Sequence, residues 1–322
     1  MKAIRVVSVG GPEVLRLEDV PVPEPPPGHV RVRVAAAGLN FIEVYQRTGL
    51  YPVPLPATPG GEGAGEVVAL GDGVTGLRLG DRVASISLLG SYAEEALVRA
   101  EHAVRVPDGL DLKSAAAVLL QGMTAHYLAC STYPLSPGDA CLVHAAAGGV
   151  GLLLVQVAKR RGARVFATVS TEEKARLARA AGADEVILYS RDDFREAVRA
   201  GTAGRGVQVV YDSVGRDTFE RSLDSLAPRG MLVLYGQSSG VVPPFDPALL
   251  ARKGSLFLTR PTLFQYVAER PELEARAGDV FAWLRDGSLK LRIDRELPLF
   301  AAADAHRALE ARATTGKVLL VP

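Results

Sequence analysis

A doubly wound parallel α/β sheet is the fold class predicted for the middle of this chain, and three observations predict it. Between residues 121 and 254 the apolar runs ACLVHAA, RVFATVS, DEVILY, VQVVYDSV and MLVLYG alternate with charged segments of helical spacing. The runs are continuous rather than alternating, as strands are when helices cover both faces of a parallel sheet. The segments between them, such as TEEKARLARAAG and RDDFREAVRAGT, open on Thr or acidic first turns and close near glycine, the start and stop signals of helices. A further run, SLFLTR, adds a sixth strand.

The first 120 residues read differently. Short alternating strands such as HVRVRVAAAG and GEGAGEVVAL are broken by turns rich in Gly, Pro and Asp, which predicts an irregular β domain. The proline run PVPEPPPG at 21–28 can be neither central strand nor helix and is expected as a surface connection. Beyond the sixth strand come a helix around Asp279 to Asp286, strand-like RIDRELPLF, a helix ADAHRALEAR and a last strand KVLLVP, expected to return to the first domain. The predicted organisation is therefore a discontinuous domain, 1–120 and 255–322, with a parallel-sheet domain at 121–254 inserted. At 322 residues the chain exceeds the roughly 250 that one core fills. The cleft between two such domains is the expected place for a ligand.

Composition narrows the function. A formal charge of +1 gives no positive excess to release counterions from a nucleic acid, so none is expected as a partner. Residues 141–158 carry no charged side chain, but their glycines, His144 and Gln156 fit a strand followed by a buried helix face better than a membrane span. MKAIRVVSVG has no apolar run fit for a signal peptide, and a cytoplasmic location is expected. Cys130 and Cys141 make neither a disulfide framework nor a C-x-x-C pair, and His29, His102, His126, His144 and His306 lack tetrahedral ligand spacing, so no metal is expected.

The most specific stretch is CLVHAAAGGVG at 141–151, an apolar strand running into a glycine turn and the helix LLLVQVAKRRGA. Backbone N–H groups at Gly148, Gly149, Val150 and Gly151 would meet a pyrophosphate at the positive end of the helix dipole. Gly148 lets the backbone approach the ligand and Gly151 lets the helix pack on its strand, while Ala146 takes the first glycine position. RVFATVS completes the βαβ unit of a dinucleotide site. At its end stands Ser170, where an NAD enzyme presents an acid to the ribose; Lys174 one turn on and Tyr189 after the third strand suit a 2′-phosphate, which favours NADPH. Glu172 and Glu173 are the alternative, as ribose contacts of an NADH site. The chain's one asparagine, Asn40, and the phenol of Tyr45 are candidates for the reacting end, against the plainer reading of a turn residue and an aromatic wall with Phe41 and Tyr51.

GLNFIEVYQRTGLYP at 38–52, GGEGAGEVVALGDGVTGLRLGDRVA at 60–84, HAAAGGVGLLLVQVAK, YDSVGRDTFERSL and EARATTGKVLLVP together resemble the medium-chain dehydrogenase/reductase superfamily. Within it the chain is most similar to the zinc-independent, zeta-crystallin-like NADPH:quinone oxidoreductases, over its whole length. The resemblance implies a Rossmann domain inserted in a GroES-like catalytic domain, with NADPH as cofactor. It also implies that Val214, Ser238, Ser239 and Leu263 approach the nicotinamide half, that Arg312 and Asn40 contact the cofactor, and that the protein is a homodimer. Zinc-dependent alcohol dehydrogenases place a cysteine beside the Asn40 position and a histidine where Gly61 precedes Glu62; both ligands are missing here.

Without a Lewis acid to ease removal of a hydroxyl proton, an acceptor that is already electron-poor is the expected substrate. Quinones come first. The activated double bond of enals or enones is the alternative, and a nucleotide-binding structural or RNA-associated protein is the alternative of another kind.

Overall fold

The computed structural model describes all 322 residues. Two compact units emerge, Met1–Leu120 together with Glu269–Pro322, and Gln121–Ala268.

The first unit begins with the antiparallel pair β1 (Lys2–Arg5) and β2 (Arg16–Asp19). It continues through β3 (His29–Gly38), α1 (Phe41–Arg47), β4 (Glu62–Leu70), β5 (Arg82–Ser85), β6 (Glu95–Arg99) and β7 (Val104–Arg105). The helix α2 (Leu112–Tyr127) carries the chain into the second unit. There β8 (Ala140–Val143), α3 (Gly149–Arg160), β9 (Arg164–Val169), α4 (Glu172–Ala180), β10 (Glu185–Leu188) and α5 (Phe194–Gly201) alternate. They are followed by β11 (Val207–Asp212), α6 (Phe219–Asp224), β12 (Leu226–Leu234), α7 (Ala248–Arg252), β13 (Phe257–Thr259) and α8 (Leu263–Tyr266). The chain ends in the first unit with α9 (Arg270–Arg285), β14 (Ile293–Pro298), α10 (Ala302–Glu310) and β15 (Lys317–Val321).

β3 is the hub of the first unit, pairing antiparallel with β4, β6 and β15. Its period of two sends Val30, Val32 and Val34 into the core and leaves the side chains of Arg31 and Arg33 on the other face. β15 docks beside its end, Leu319 opposite Gly38 and Leu320 opposite Ala37, so the last strand does return to the first domain. The proline run is a connection with neither strand nor helix.

The second unit is a six-stranded, all-parallel sheet of order β10-β9-β8-β11-β12-β13. The chain moves outward from β8 to β10, then crosses back to β11 and moves outward the other way. The reversal leaves a topological switch point between β8 and β11, where open α/β sheets bind ligands beyond their strand ends. The boundary expected at 254/255 shifts to 268/269. β13 hydrogen-bonds β12, with Met231 opposite Phe257 and Val233 opposite Thr259, and that pairing holds residues 255–268 in the parallel unit. The helix expected around Asp279 to Asp286 is longer, reaching back to a Pro271 start at Arg270. No helix is long and apolar enough to cross a membrane.

Candidate active site

β8 ends at Val143, and the chain turns through Ala145, which takes a left-handed φ of +50°, before α3 begins at Gly149. The Leu152 N–H makes the first helical bond, to Gly148 O at 2.9 Å. The N–H groups of Gly149, Val150 and Gly151 precede it and have no intrahelical acceptor, an arrangement suited to an anion, whereas the Gly148 N–H expected beside them is already given to Ala145 O at 2.9 Å. Packing explains two of the glycines. A Cβ on Gly151 would stand 2.7 Å from Ala146 Cα, so only glycine lets the helix start this close to the turn. A Cβ on Gly149 would overlap the Gln121 amide. At Gly148 the nearest atom is Ala145 O at 3.2 Å, so the fold demands glycine least there, and its bare backbone is left for ligand approach.

Behind this turn lies a buried polar chain. Asp212 Oδ1 accepts from the N–H groups of Val214 (2.7 Å) and Gly215 (3.0 Å), and Oδ2 accepts from the hydroxyls of Thr218 (2.7 Å) and Ser222 (3.0 Å). Ser222 Oγ lies 3.0 Å from His144 Nε2, and His144 Nδ1 lies 2.8 Å from Thr168 Oγ1. Since the serine proton goes to Asp212, His144 donates through Nε2 and accepts at Nδ1. Burial pushes its pKa below the usual value, which fits a neutral ring. This chain ties the turn after β8 to the turn after β11.

The remaining cofactor candidates of this unit all follow the carboxyl ends of parallel strands. Ser170 follows β9 and Tyr189 follows β10; Tyr189 N–H donates to Val169 O at 3.1 Å, and Ser190 Oγ donates to Ser170 O at 3.2 Å. Lys174 lies in the first turn of α4, whose cap Thr171 accepts from the Lys174 N–H at 3.2 Å. Glu172 lies 3.8 Å from Arg191. Val214 O accepts from both the N–H and the hydroxyl of Ser239 at 2.8 Å, and Ser238 N–H donates to Ser213 O at 3.1 Å. Leu263, buried, opens α8. Asn40, Tyr45 and Arg312 belong to the other unit; Arg312, past the end of α10, takes a φ of +56°.

Asn40 is held in a buried ionic cluster. Its Nδ2 donates to Glu62 Oε2 at 2.8 Å and, at a longer 3.3 Å, to Gly38 O, while Oδ1 accepts from Lys317 Nζ at 2.8 Å. Lys317 Nζ also meets Glu62 Oε2 at 2.5 Å, with both side chains wholly buried. Glu62 Oε1 accepts the Leu120 N–H at 2.7 Å. A Cβ on Gly38 would strike the Lys317 and Glu62 side chains, so glycine there makes room for the pair. Glu43 reaches back from α1 to accept the Asn40 N–H at 2.8 Å, and burial pushes its pKa up to about 7 despite the nearby Lys317. Arg47, on the same helix, binds Glu310 through both nitrogens, at 3.0 and 2.7 Å. Tyr45 packs edge-on to Tyr51 at 5.2 Å and tilted to Phe41 at 6.0 Å, so the aromatic wall is present.

Sequence reasoning missed Glu62, Glu43 and Lys317 as partners of Asn40. Two local signals were present: Glu43 stands three residues after Asn40, the spacing of a capping box, and a lysine opens the otherwise apolar strand KVLLV.

A parallel sheet with a glycine turn and open N–H donors beside its switch point is the form of a dinucleotide-binding protein. Comparison with known proteins sharpens that class. The family models "Zinc-binding dehydrogenase" and "Alcohol dehydrogenase GroES-like domain" match residues 149–269 and 26–108. The chain is 48% identical to a quinone oxidoreductase of Pseudomonas aeruginosa over 100% of this chain and 99% of that protein. It is 44% identical to a 2-haloacrylate reductase of a Burkholderia species, covering 97% and 96%. The solved Escherichia coli quinone oxidoreductase complexed with NADPH is 42% identical and matches all of both chains with a TM-score of 0.98. The chain belongs to the quinone oxidoreductase family of the medium-chain dehydrogenase/reductase superfamily.

The zinc in that family model's description does not fit this chain's donors. No three His, Cys, Asp or Glu side chains converge to hold an ion. Glu62, the carboxylate at the Gly61–Glu62 position, is already bonded to an ammonium, an amide and a backbone N–H.

Proposed function

We infer that the protein is an NADPH-dependent quinone oxidoreductase that works without a metal. The observation that carries this reading is the full-length likeness to quinone oxidoreductases, one of them solved with NADPH. The geometry of the glycine turn fits the dinucleotide: the N–H groups of Gly149, Val150 and Gly151 would hold the pyrophosphate, and Ser170, Lys174 and Tyr189 the 2′-phosphate side. Val214, Ser238, Ser239 and Leu263, at strand ends beyond the switch point, suit the nicotinamide half, with Arg312 as a further contact. Bound there, NADPH would supply a hydride, two electrons with one proton, and the second proton a quinone takes up would come from water or a side chain.

For the acceptor, Asn40 and Tyr45 are our candidates. Asn40's bond to Gly38 O, at 3.3 Å, is the longest it makes, so that N–H is the one least committed within the protein and best placed to be shared with a developing oxyanion. Tyr45 offers an apolar body and a phenolic donor. A quinone polarises itself, so hydrogen-bond help of this kind suffices where an alcohol would need a Lewis acid.

The test is steady-state oxidation of NADPH with a quinone panel and with 2-haloacrylates and enals. Higher kcat/KM on quinones is expected; the reverse order favours the second reading, which the 44% identity to a 2-haloacrylate reductase supports. Binding of NADPH without turnover on any electrophile would leave only a nucleotide-binding role. Asn40→Ala should lower kcat with little change in NADPH affinity. We further propose a cytoplasmic homodimer joined through β13, one of the sheet's two edge strands, whose Phe257 is exposed. Sedimentation velocity on the wild type and Phe257→Lys tests it: a dimer that the substitution leaves intact does not use this edge.

A further inference from the structure

Gln121 is the first residue of the parallel-sheet unit and lies 92% buried inside α2, yet its Oε1 has no hydrogen-bond partner. An unpaired buried amide oxygen destabilises the fold, and an apolar side chain of the same size would avoid that cost. Its place gives the reason. The amide lies across Gly149, the first residue of the twelve-residue helix α3, so closely that any side chain at 149 would overlap it.

Here three N–H groups without helical acceptors stand beside a carbonyl oxygen without a donor. They do not satisfy each other, and both remain open in one spot. A complementary ligand has an anionic oxygen for the N–H groups and, next to it, a hydroxyl or N–H for Gln121. In a dinucleotide that pairing is a pyrophosphate and a ribose hydroxyl. Ser170, Lys174 and Tyr189 lie on the β9 and β10 side and suit the adenosine ribose, which leaves the ribose of the nicotinamide half.

We propose that Gln121 is a cofactor-positioning residue whose side-chain carbonyl accepts a hydrogen bond from the nicotinamide-side ribose of NADPH. The assignment rests on the functional reading above and adds to it a residue outside the glycine turn. Because both cofactors share that ribose, the effect differs in kind from that of a 2′-phosphate contact.

Gln121→Leu and the unbranched Gln121→Met are compared with wild type by calorimetric binding of NADPH, NADH and 2′,5′-ADP, and by thermal melting without ligand. The expected result is a loss of about tenfold in affinity for both NADPH and NADH, unchanged binding of 2′,5′-ADP, and a Tm equal to or above wild type. A higher Tm with unchanged NADPH affinity in either variant overturns the proposal, since the amide would then be a packing defect alone. Weaker 2′,5′-ADP binding overturns the choice of ribose. Wild type that fails to bind NADPH refutes the functional reading itself, which separates the two failures.

Discussion

Two buried carboxylates, one in each unit, are neutralised in opposite ways. Asp212 takes four hydrogen bonds from Val214, Gly215, Thr218 and Ser222, all within ten residues of it in the chain. Glu62 is held by Lys317, 255 residues away, and by Asn40, 22 residues away. Dipoles from one turn and helix suffice for the first. A full charge supplied by the last strand is needed for the second. The local device survives rearrangement, because hydroxyls rotate; the distant one fails at once if either partner is lost. A fold can therefore bury charge cheaply where the sequence carries its own donors, and elsewhere it depends on strand docking.

The largest expected effect tests that dependence. Lys317→Met should leave Glu62 uncompensated and lower stability by about 3–5 kcal/mol, while Lys317→Met with Glu62→Leu should recover most of the loss. Chemical denaturation measures both; a single variant as stable as wild type would break the contrast.

Next is pH. Burial raises the Glu43 pKa from 4.5 to about 7, so its carboxyl favours the folded state when protonated. That contribution is fully present below pH 4.5 and is lost as pH rises through about 7. Wild type should therefore lose on the order of 3 kcal/mol relative to Glu43→Gln across that window. His306 runs the other way: burial lowers its pKa from 6.5 to about 3, so its contribution is present above 6.5 and lost on acidification. It is common to both proteins and cancels in the difference. Parallel stability curves for the two would remove Glu43 from the ionic cluster.

Asp212→Asn should cost less, about 1–3 kcal/mol, because Thr218 and Ser222 can turn their hydroxyl protons away and accept from the new NH2 while two N–H bonds remain on its oxygen. A loss as large as that of Lys317→Met would erase the distinction between local and distant compensation. Smallest in stability is Lys174→Ala, within about 0.5 kcal/mol for a half-buried side chain on a helix's first turn, yet NADPH affinity should fall about tenfold or more with NADH unchanged. Equal losses for the two cofactors would place the 2′-phosphate elsewhere.

What could be read in advance follows the same line. The glycine turn, the β8–α3–β9 unit and the strand-end residues Ser170, Val214 and Ser238 lie in contiguous segments whose patterning reports their surroundings. The 254/255 boundary went astray because a strand's sheet membership depends on which neighbour pairs with it, and three residues of β13 do not announce β12. Asn40 stood out as the only asparagine, but what its amide holds was invisible. The partners Glu62 and Lys317 have no spacing that links them.

By itself the sequence determined the strand and helix periodicity and the glycine turn, both set by residues near one another in the chain. Only the tertiary structure decided that Lys317 neutralises Glu62, that Glu43 sits where burial favours its protonated form, and that Gln121 is left with an open carbonyl. Those outcomes come from long-range strand pairing and from exclusion of water, and neither is encoded in any single segment.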